Sequence, residues 1–174
     1  LWGQFEPTVP RNRRLEVNER TLADGTVLEA VNPDQVKDKA RELLQAGSQS
    51  VCIFFINSYA NEENERIAAR AVREIWPNDY VTCATEILPE IREFERLSTA
   101  TINAYLQPVV SSYLDKLDGG LRSASFAGDL LIVQSNGGVM SVETAKAMPA
   151  RTALSGPAAG VRAAQAIATA AGYD

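Results

Sequence analysis

The sequence predicts an α/β fold, a mixed sheet with helices on both faces. Two observations carry this prediction. Apolar, β-rich runs at 51–56 and 80–86 flank a helical segment, and strands in that order pair in parallel. An Asp-Gly pair at 24–25 lies between two short alternating segments, which is typical of an antiparallel hairpin. Parallel and antiparallel pairing together make the sheet mixed.

Capping and turn signals set the element boundaries in the first half of the chain. Asn32 is a good helix cap, and Pro33 suits the first helical position. Gly47 and Pro77 each end a helix, because glycine adopts the left-handed conformation and proline cannot continue the hydrogen bonding. The predicted elements are a hairpin at 13–31 with its first strand at 14–17, a helix at 32–47, a strand at 51–56, a helix at 61–76 and a strand at 80–86.

A long helix is predicted to open the second half. Apolar residues recur at three and four positions from Pro89 to Asp118, and Pro108 is placed to kink the helix. Residues 119–128 are rich in Gly, Ser and Ala and are predicted as a flexible connection. The remaining predicted elements are a buried strand at 130–133, a short helix at 142–147 and an alanine-rich helix at 157–171 that favours close packing.

Composition restricts the chemistry that this chain can carry. Its 174 residues, 45% of them hydrophobic, fit one domain or two small ones. A net charge of −5 argues against a general nucleic-acid surface, and no apolar run is long enough for a membrane span. The chain has no histidine, hence no imidazole base, no Ser-His-Asp triad and no histidine zinc site.

The start of the sequence and its two cysteines predict the location of the protein and whether the chain is a piece of a longer one. No secretory signal or initiator Met opens the sequence, so we expect a cytoplasmic protein and an internal piece of a longer chain. Cys52 and Cys83 lack CxxC spacing and are expected to be reduced and structural. No metal site is predicted.

Polar residues follow three of the predicted strands. These are Asn57-Ser58, Glu86 and Gln134-Ser135-Asn136. If the strands are neighbours with one direction, these groups share a sheet edge and form a polar pocket with one carboxylate. The alternative is that any strand runs into polar residues as it enters a loop.

Two glycine-bearing segments and one charged segment supply further candidates. Gly137-Gly138 either brings backbone close to a ligand or forms a tight turn. Ser155-Gly156-Pro157 either offers N–H groups to an anion or is an ordinary capped helix start. Glu86 and Arg92 stand out from a charged stretch that otherwise fits a solvated helix surface. No GxxxxGK[ST] or GxGxxG loop is present, so the chain alone carries no nucleotide site.

Four ordered segments resemble the hydantoinase A/5-oxoprolinase family. TEILPEIREFERLST at 85–99 is very similar to the SEVLPEIREFERTST segment of that family. Asn103-Ala104-Tyr105 resembles the NAY element that follows it. QSNGG at 134–138 and LSGPAAGV at 154–161 also match, in order and spacing, so the resemblance covers nearly the whole chain from about Arg13.

The resemblance implies a fold like that of actin, sugar kinases and heat-shock ATPases. It also implies an enzyme that uses ATP and Mg²⁺ to open a cyclic amide such as a hydantoin or 5-oxoproline. Related members are subunits of acetone or acetophenone carboxylases, so a ketone substrate is the alternative. Phosphoryl transfer to an unreactive amide or ketone oxygen is the implied logic. The implied partners are the rest of the parent chain and a hydantoinase B-type subunit or domain. A non-catalytic module that only binds a partner is the rival hypothesis.

The resemblance also places the chain within a longer protein. The two D-x-GGT-x-TD phosphate loops of the family fall outside it, and Asn136-Gly137-Gly138 does not replace them. The isolated chain is therefore expected to bind no cofactor and to be inactive. Residues 1–31 are predicted as an N-terminal segment, 32–118 as the end of the N-terminal domain with its long helix, and 119–174 as the start of the main domain.

The resemblance implies that the site residues of the parent enzyme line an interdomain cleft. Glu86 and Arg92 are expected to orient a substrate or a neighbouring loop, and no catalytic residue is assigned. The residues expected to line or shape the cleft are Asn136, Gly137, Gly138, Ser155, Gly156 and Gly160.

Overall fold

The computed structural model describes residues 7–173, which fall into two compact units. The first unit ends at Pro108 and the second begins at Val109. Residues 1–6 and Asp174 lie outside the described residues, so the predicted segment 1–31 is seen only from residue 7. None of the described helices is long and apolar enough to cross a membrane. The predicted domain boundary at 119 stays a prediction.

Three two-stranded sheets stand where one mixed sheet was predicted, although the α/β class is confirmed. The single sheet is wrong for the described residues, because the chain folds back directly after the strand at 131–133 and pairs locally. The antiparallel pairs are β1 (Arg20–Thr21) with β2 (Val27–Glu29) and β5 (Leu131–Val133) with β6 (Val139–Ser141), and the parallel pair is β3 (Val51–Ile53) with β4 (Val81–Cys83).

The first hairpin forms where the Asp-Gly signal places it, but its first strand is not 14–17. The N–H of Leu22 donates to the carbonyl of Thr26 at 2.8 Å, so the turn is tight. A tight turn pairs only the residues that flank it, and β1 therefore begins at Arg20. Gly25 lies in this turn at φ +86°, a left-handed conformation that glycine adopts without strain.

Helices lie on both faces of the parallel β3–β4 pair. Its apolar face packs against α1 (Pro33–Gln45) and α2 (Glu63–Arg73) in the main core. On the other face, the hydroxyl of Thr82 donates to Gln107 of α4 (Glu93–Ser123) at 3.0 Å. The predicted helix-covered parallel unit is therefore confirmed at this sheet. The main-core side chains from the two strands are Val51, Ile53, Val81 and Cys83.

The predicted boundaries of the first unit hold best where a cap defines them. The side chain of Asn32 accepts a hydrogen bond from the N–H of Asp34 at 2.9 Å, and α1 begins at Pro33 as predicted. The strand predicted at 80–86 is shorter, because Ala84–Ile87 form a one-turn helix, α3. The long helix α4 continues through Pro108 and on to Ser123, so the start of the predicted flexible connection is helical.

The second unit is a small hairpin packed against helices. Its core joins Leu114, Met140 and Ala145, and α5 covers Val142–Ala147 as predicted. The strand predicted as buried is β5, yet Leu131 is 54% exposed. The alanine-rich helix α6 runs from Ser155 to Ala170 and contains no buried residue in the described part of the chain. The predicted close packing of its small face is absent from this unit.

Candidate functional site

The loops that leave β3 and β4 line a polar cleft of about 470 Å³ in the first unit. Because the two strands are parallel, both loops leave the same sheet edge, where ligands of parallel sheets bind. The volume suits a small molecule. We call it the strand-exit cleft, and its lining residues are Ser58, Tyr59, Ala60, Asn61, Glu62, Glu63, Arg66, Thr85 and Pro89.

Behind this cleft lies Glu65, a fully buried residue of α2. Its Oε1 accepts hydrogen bonds from the N–H of Phe55 at 3.2 Å and the hydroxyl of Ser58 at 2.7 Å. Its Oε2 accepts from the N–H and the hydroxyl of Thr85 at 3.0 and 2.5 Å. Four donors from two loops thus replace the water that this carboxylate loses on burial.

The second buried charge is Arg96, near the start of α4. Nη1 donates to the carbonyl of Glu90 at 2.7 Å, and Nη2 donates to the carbonyls of Phe55 at 2.8 Å and of Ile56. The guanidinium also lies 4.8 Å from the ring centroid of Phe54. Its Nε has no hydrogen-bond partner within residues 7–173. Backbone carbonyls and an aromatic face, rather than a carboxylate, therefore hold this cation.

The hairpin tip is tied to the wall of the cleft. The side-chain amide of Asn57 donates to the carbonyl of Thr21 at 2.8 Å, and that of Asn61 donates to the carbonyl of Gly25 at 2.9 Å. A Cβ on Gly25 would lie 3.1 Å from the carbonyl oxygen of Ala60, so glycine allows this close approach. The first hairpin thus supports the loop that follows β3.

The predicted candidates Glu86 and Arg92 lie in exposed ion pairs. The carboxylate of Glu86 is 3.6 Å from Arg73, and Arg92 is 3.3 Å from Glu95. Neither residue lines the strand-exit cleft. Their sequence neighbours Thr85 and Arg96 make the buried contacts instead. The structure brings two of the predicted strand ends together at one edge of the β3–β4 sheet. They are represented there by Ser58 and by Thr85, the residue before Glu86.

The glycine-bearing loop of the second unit is a tight turn between β5 and β6. Gly137 has φ +81°, which glycine adopts without strain. The side-chain oxygen of Asn136 accepts from the N–H of Gly138 at 2.9 Å, so this oxygen stabilises the turn itself. The segment therefore forms a tight turn, and a close approach of its backbone to a ligand stays a prediction.

The start of α6 lies beside this turn. The N–H of Ser135 donates to the carbonyl of Arg151 at 2.8 Å, and a Cβ on Gly137 would lie 3.4 Å from the side chain of Arg162. The second unit therefore places the turn next to Arg151 and Arg162, which lie on either side of the predicted segment 155–160. Ser155 is the first residue of α6 rather than its cap, because Leu154 precedes it in a left-handed conformation and no side chain caps the helix.

The described residues contain no ready three-ligand metal site. Within residues 7–173 no group of three His, Cys, Asp or Glu side chains is placed to hold a metal ion. A nucleotide-bound Mg²⁺ needs carboxylates in addition to phosphate oxygens and water. The uncapped start of α6 offers only its first backbone N–H groups.

The two cysteines are free and unreactive. Burial raises the pKa of the Cys83 thiol to about 12, with a smaller effect from nearby Glu86. Burial likewise raises the pKa of Cys52 to about 12. Since the thiolate is the nucleophile, neither residue is a catalytic candidate at neutral pH. The prediction of reduced, structural cysteines is confirmed for both.

Two family descriptions match this chain along most of its length. The hydantoinase/oxoprolinase N-terminal region matches residues 2–76, and hydantoinase/oxoprolinase matches residues 96–174. The chain belongs to the hydantoinase/oxoprolinase family. The family predicted from the four sequence segments is thus confirmed.

Solved structures share the fold of this hydantoinase/oxoprolinase chain. The nucleotide-free structure of acetone carboxylase, from work on ATP-dependent acetone carboxylation, is 28% identical with a TM-score of 0.81, covering 97% of this chain and 24% of that one. ATP-dependent caprolactamase from Pseudomonas jessenii is 27% identical with a TM-score of 0.81, covering 95% of this chain and 24% of that one. Likeness to actin and sugar kinases stays a prediction.

Relatives by sequence include 5-oxoprolinase and a caprolactamase subunit. The 5-oxoprolinase of Saccharomyces cerevisiae is 32% identical over 78% of this chain and 10% of its own length. Caprolactamase subunit alpha of Pseudomonas jessenii is 29% identical over 95% of this chain and 24% of its own length. The chain therefore spans a quarter or less of the length of these relatives.

Proposed function

We propose that the longer protein to which this chain corresponds is an ATP-dependent enzyme that opens a cyclic amide. The observation that carries the proposal is the likeness to ATP-dependent caprolactamase over 95% of this chain. A second relative, 5-oxoprolinase, is also named for a lactam. Both names describe ring amides, which hydrolyse slowly unless the amide oxygen is activated.

The strand-exit cleft is the part of this chain that we propose holds the substrate. Its hydroxyl and amide groups suit a small polar ring, and the Glu62–Arg66 ion pair at its rim suits a charged substituent. The cleft is built from parallel strand ends, as small-molecule sites in α/β proteins are. We retain Glu86 and Arg92 as candidates for orienting substrate from outside its lining.

We propose that ATP and Mg²⁺ bind the whole enzyme with residues beyond this chain. ATP would transfer a phosphoryl group to the amide oxygen and leave as ADP. Water adding to the activated carbon would then break the ring C–N bond, with a proton going to the nitrogen and phosphate lost in the final hydrolysis. This chain would contribute the β5–β6 turn and the first part of α6 to the nucleotide-binding cleft of the whole enzyme. The proposed residues are Asn136, Gly137, Gly138, Ser155, Gly156 and Gly160.

The alternative is a subunit of an ATP-dependent ketone carboxylase. The likeness to acetone carboxylase favours it as strongly by TM-score. The term subunit in the name of the caprolactamase relative supports a partner subunit for either reaction, and we propose that this partner is of the hydantoinase B type. A non-catalytic role in such a complex is the third possibility.

One assay separates the three functions. The full-length enzyme with Mg-ATP is given hydantoin, 5-oxoproline or caprolactam, and separately acetone or acetophenone with bicarbonate, while ADP is followed. Release of ADP coupled to ring opening is the expected result. Release of ADP only with a ketone and bicarbonate would replace the proposal by carboxylation. Release with none of them, where a known family member is active in the same assay, would favour the non-catalytic role.

A further inference from the structure

The two buried charges of the first unit cross-link the same pair of loops. Glu65 and Arg96 belong to different helices, and each bonds to both loops that leave the β3–β4 sheet. In the first loop they bond to Phe55, Ile56 and Ser58, and in the second to Thr85 and Glu90. These loops are the walls of the strand-exit cleft. The cleft is therefore preorganised by its own chain.

Glu65 also orients the hydroxyl proton of Thr85 and, together with the carbonyl of Phe55, that of Ser58. The hydroxyl of Ser58 lies 2.7 Å from Oε1 of Glu65, and that of Thr85 lies 2.5 Å from Oε2. A carboxylate only accepts hydrogen bonds, so the hydroxyl of Thr85 gives its proton to Glu65. The single proton of Ser58 goes either to Glu65 or to the carbonyl of Phe55 at 2.8 Å, both of which are acceptors of the protein itself. Both hydroxyl oxygens are thereby left as acceptors, and both residues line the cleft.

We propose that Glu65 makes the strand-exit cleft selective for a cyclic amide over a ketone of the same ring size. This inference rests on the proposed function of the cleft. A lactam carries an N–H that donates to the oriented hydroxyl oxygens, whereas a ketone presents only an oxygen to their lone pairs. Glu65 does not line the cleft and acts through Ser58 and Thr85, so it is a positioning residue.

The test compares two five-membered rings that differ in one group. Binding of 2-pyrrolidinone and of cyclopentanone to the full-length protein, without ATP, is measured by calorimetry or ligand-observed NMR. We expect the unmodified protein to bind the lactam about tenfold more tightly, the effect of losing roughly one hydrogen bond to a site built for it. The ratio of the two dissociation constants is the readout, because a merely structural role would weaken both ligands alike.

Two substitutions locate the cause of the ratio. Glu65→Gln can place an amide NH₂ beside the hydroxyl of Thr85, which then loses its acceptor and can turn its proton toward the cleft, whereas Ser58 keeps the carbonyl of Phe55; we expect the ratio to fall by up to about tenfold. Thr85→Val removes the hydroxyl with little change of shape and is expected to lower the ratio, whereas Thr85→Ser retains it. Glu74→Gln is the matched control, because Glu74 is an exposed carboxylate outside the cleft lining. It should leave the ratio unchanged.

Each result decides the inference separately from the proposed function. Equal binding of the two rings by the unmodified protein overturns it, as does a ratio that survives both Glu65→Gln and Thr85→Val. If Glu65→Gln does not fold, the Val and Ser variants at position 85 decide. Lactam turnover without a binding preference would leave the proposed function standing and end this inference. Ketone turnover together with a lactam preference in the cleft would end the proposed function and leave the selectivity of the cleft standing.

Discussion

Arg92 and Arg96 are four residues apart in the sequence and have opposite environments. The Arg92 side chain is 73% exposed, whereas Arg96 is fully buried and donates to three backbone carbonyls. Arg96→Ala removes the donor to the carbonyls of Ile56 and Glu90, while that of Phe55 keeps the hydroxyl of Ser58, so we predict a loss of about 2 kcal/mol or more in the free energy of unfolding, at roughly 1–3 kcal/mol for each unpaired group. Arg92→Ala is the matched control and should change it by less than about 0.5 kcal/mol. Urea unfolding measures both, and similar losses for the two variants would contradict the structure.

The cysteines predict how stability depends on alkaline pH. Burial raises the folded-state pKa of Cys83 and Cys52 from 9.0 to about 12, so the unfolded chain releases these protons first. Their contribution to stability is therefore complete below about pH 9 and is lost as pH rises toward 12. We predict that a Cys52→Ala, Cys83→Ala variant loses less stability than the unmodified protein between these values, by up to about 1.4 kcal/mol per pH unit for each thiol. Parallel curves of unfolding free energy against pH would refute the assignment.

The start of α6 is an element whose function is separable from its stability. Ser155 is half-buried, makes no capping hydrogen bond and precedes Gly156, so the first N–H groups of the helix are open. We predict that Ser155→Leu in the full-length enzyme lowers turnover by covering these groups, while the melting temperature stays within about 2 °C because no cap is lost. Steady-state kinetics and thermal unfolding test the two parts. Unchanged kinetics would remove this segment from the site.

Local signals predict those elements whose ends are set by neighbouring residues. The structure has α1 beginning at Pro33 behind its Asn32 cap and α5 over Val142–Ala147, as the sequence indicates. The pairing of β5 was missed, because alternation identifies a strand but not its partner. Apolar periodicity also finds α4 without identifying its buried face, which includes Arg96, Asn103, Gln107 and Ser111 while Phe94, Ile102, Tyr105 and Val109 are exposed.

In the candidate site, too, local sequence signals predict the position of an element better than the contacts of its individual residues. The strand-end argument is right that the strands before Asn57 and Glu86 end at one sheet edge, because β3 and β4 are parallel, and wrong for the strand before Gln134, which pairs in a separate antiparallel sheet. It selects Glu86 and Arg92, whereas the buried contacts belong to Thr85 and Arg96. The carboxylate behind the cleft was missed altogether, since Glu65 lies in the first turn of α2, where an acidic residue is ordinary, and 20 positions before Thr85 in the sequence. A charged residue in an amphipathic helix gives no local sign that it turns inward to bond two loops.

At the scale of the whole molecule, nucleotide binding should require more than this chain. The chain covers 24% of the length of ATP-dependent caprolactamase, and residues 7–173 contain no group of three His, Cys, Asp or Glu side chains placed to hold a metal ion. We predict that calorimetric titration with Mg-ATP gives saturable binding by the longer enzyme and none by the 174-residue chain.

The control for that titration is the folded state of the 174-residue chain. Its circular dichroism should show cooperative unfolding, so that absent binding is not the result of an unfolded chain. Because a helix N-terminus supplies N–H groups but no metal ligand, phosphate contacts at α6 alone are expected to be too weak to saturate. Tight binding by the chain alone would place a complete phosphate site at residues 136–138 or 155–156. The nucleotide would then not need the residues beyond this chain that the proposed function assigns to it.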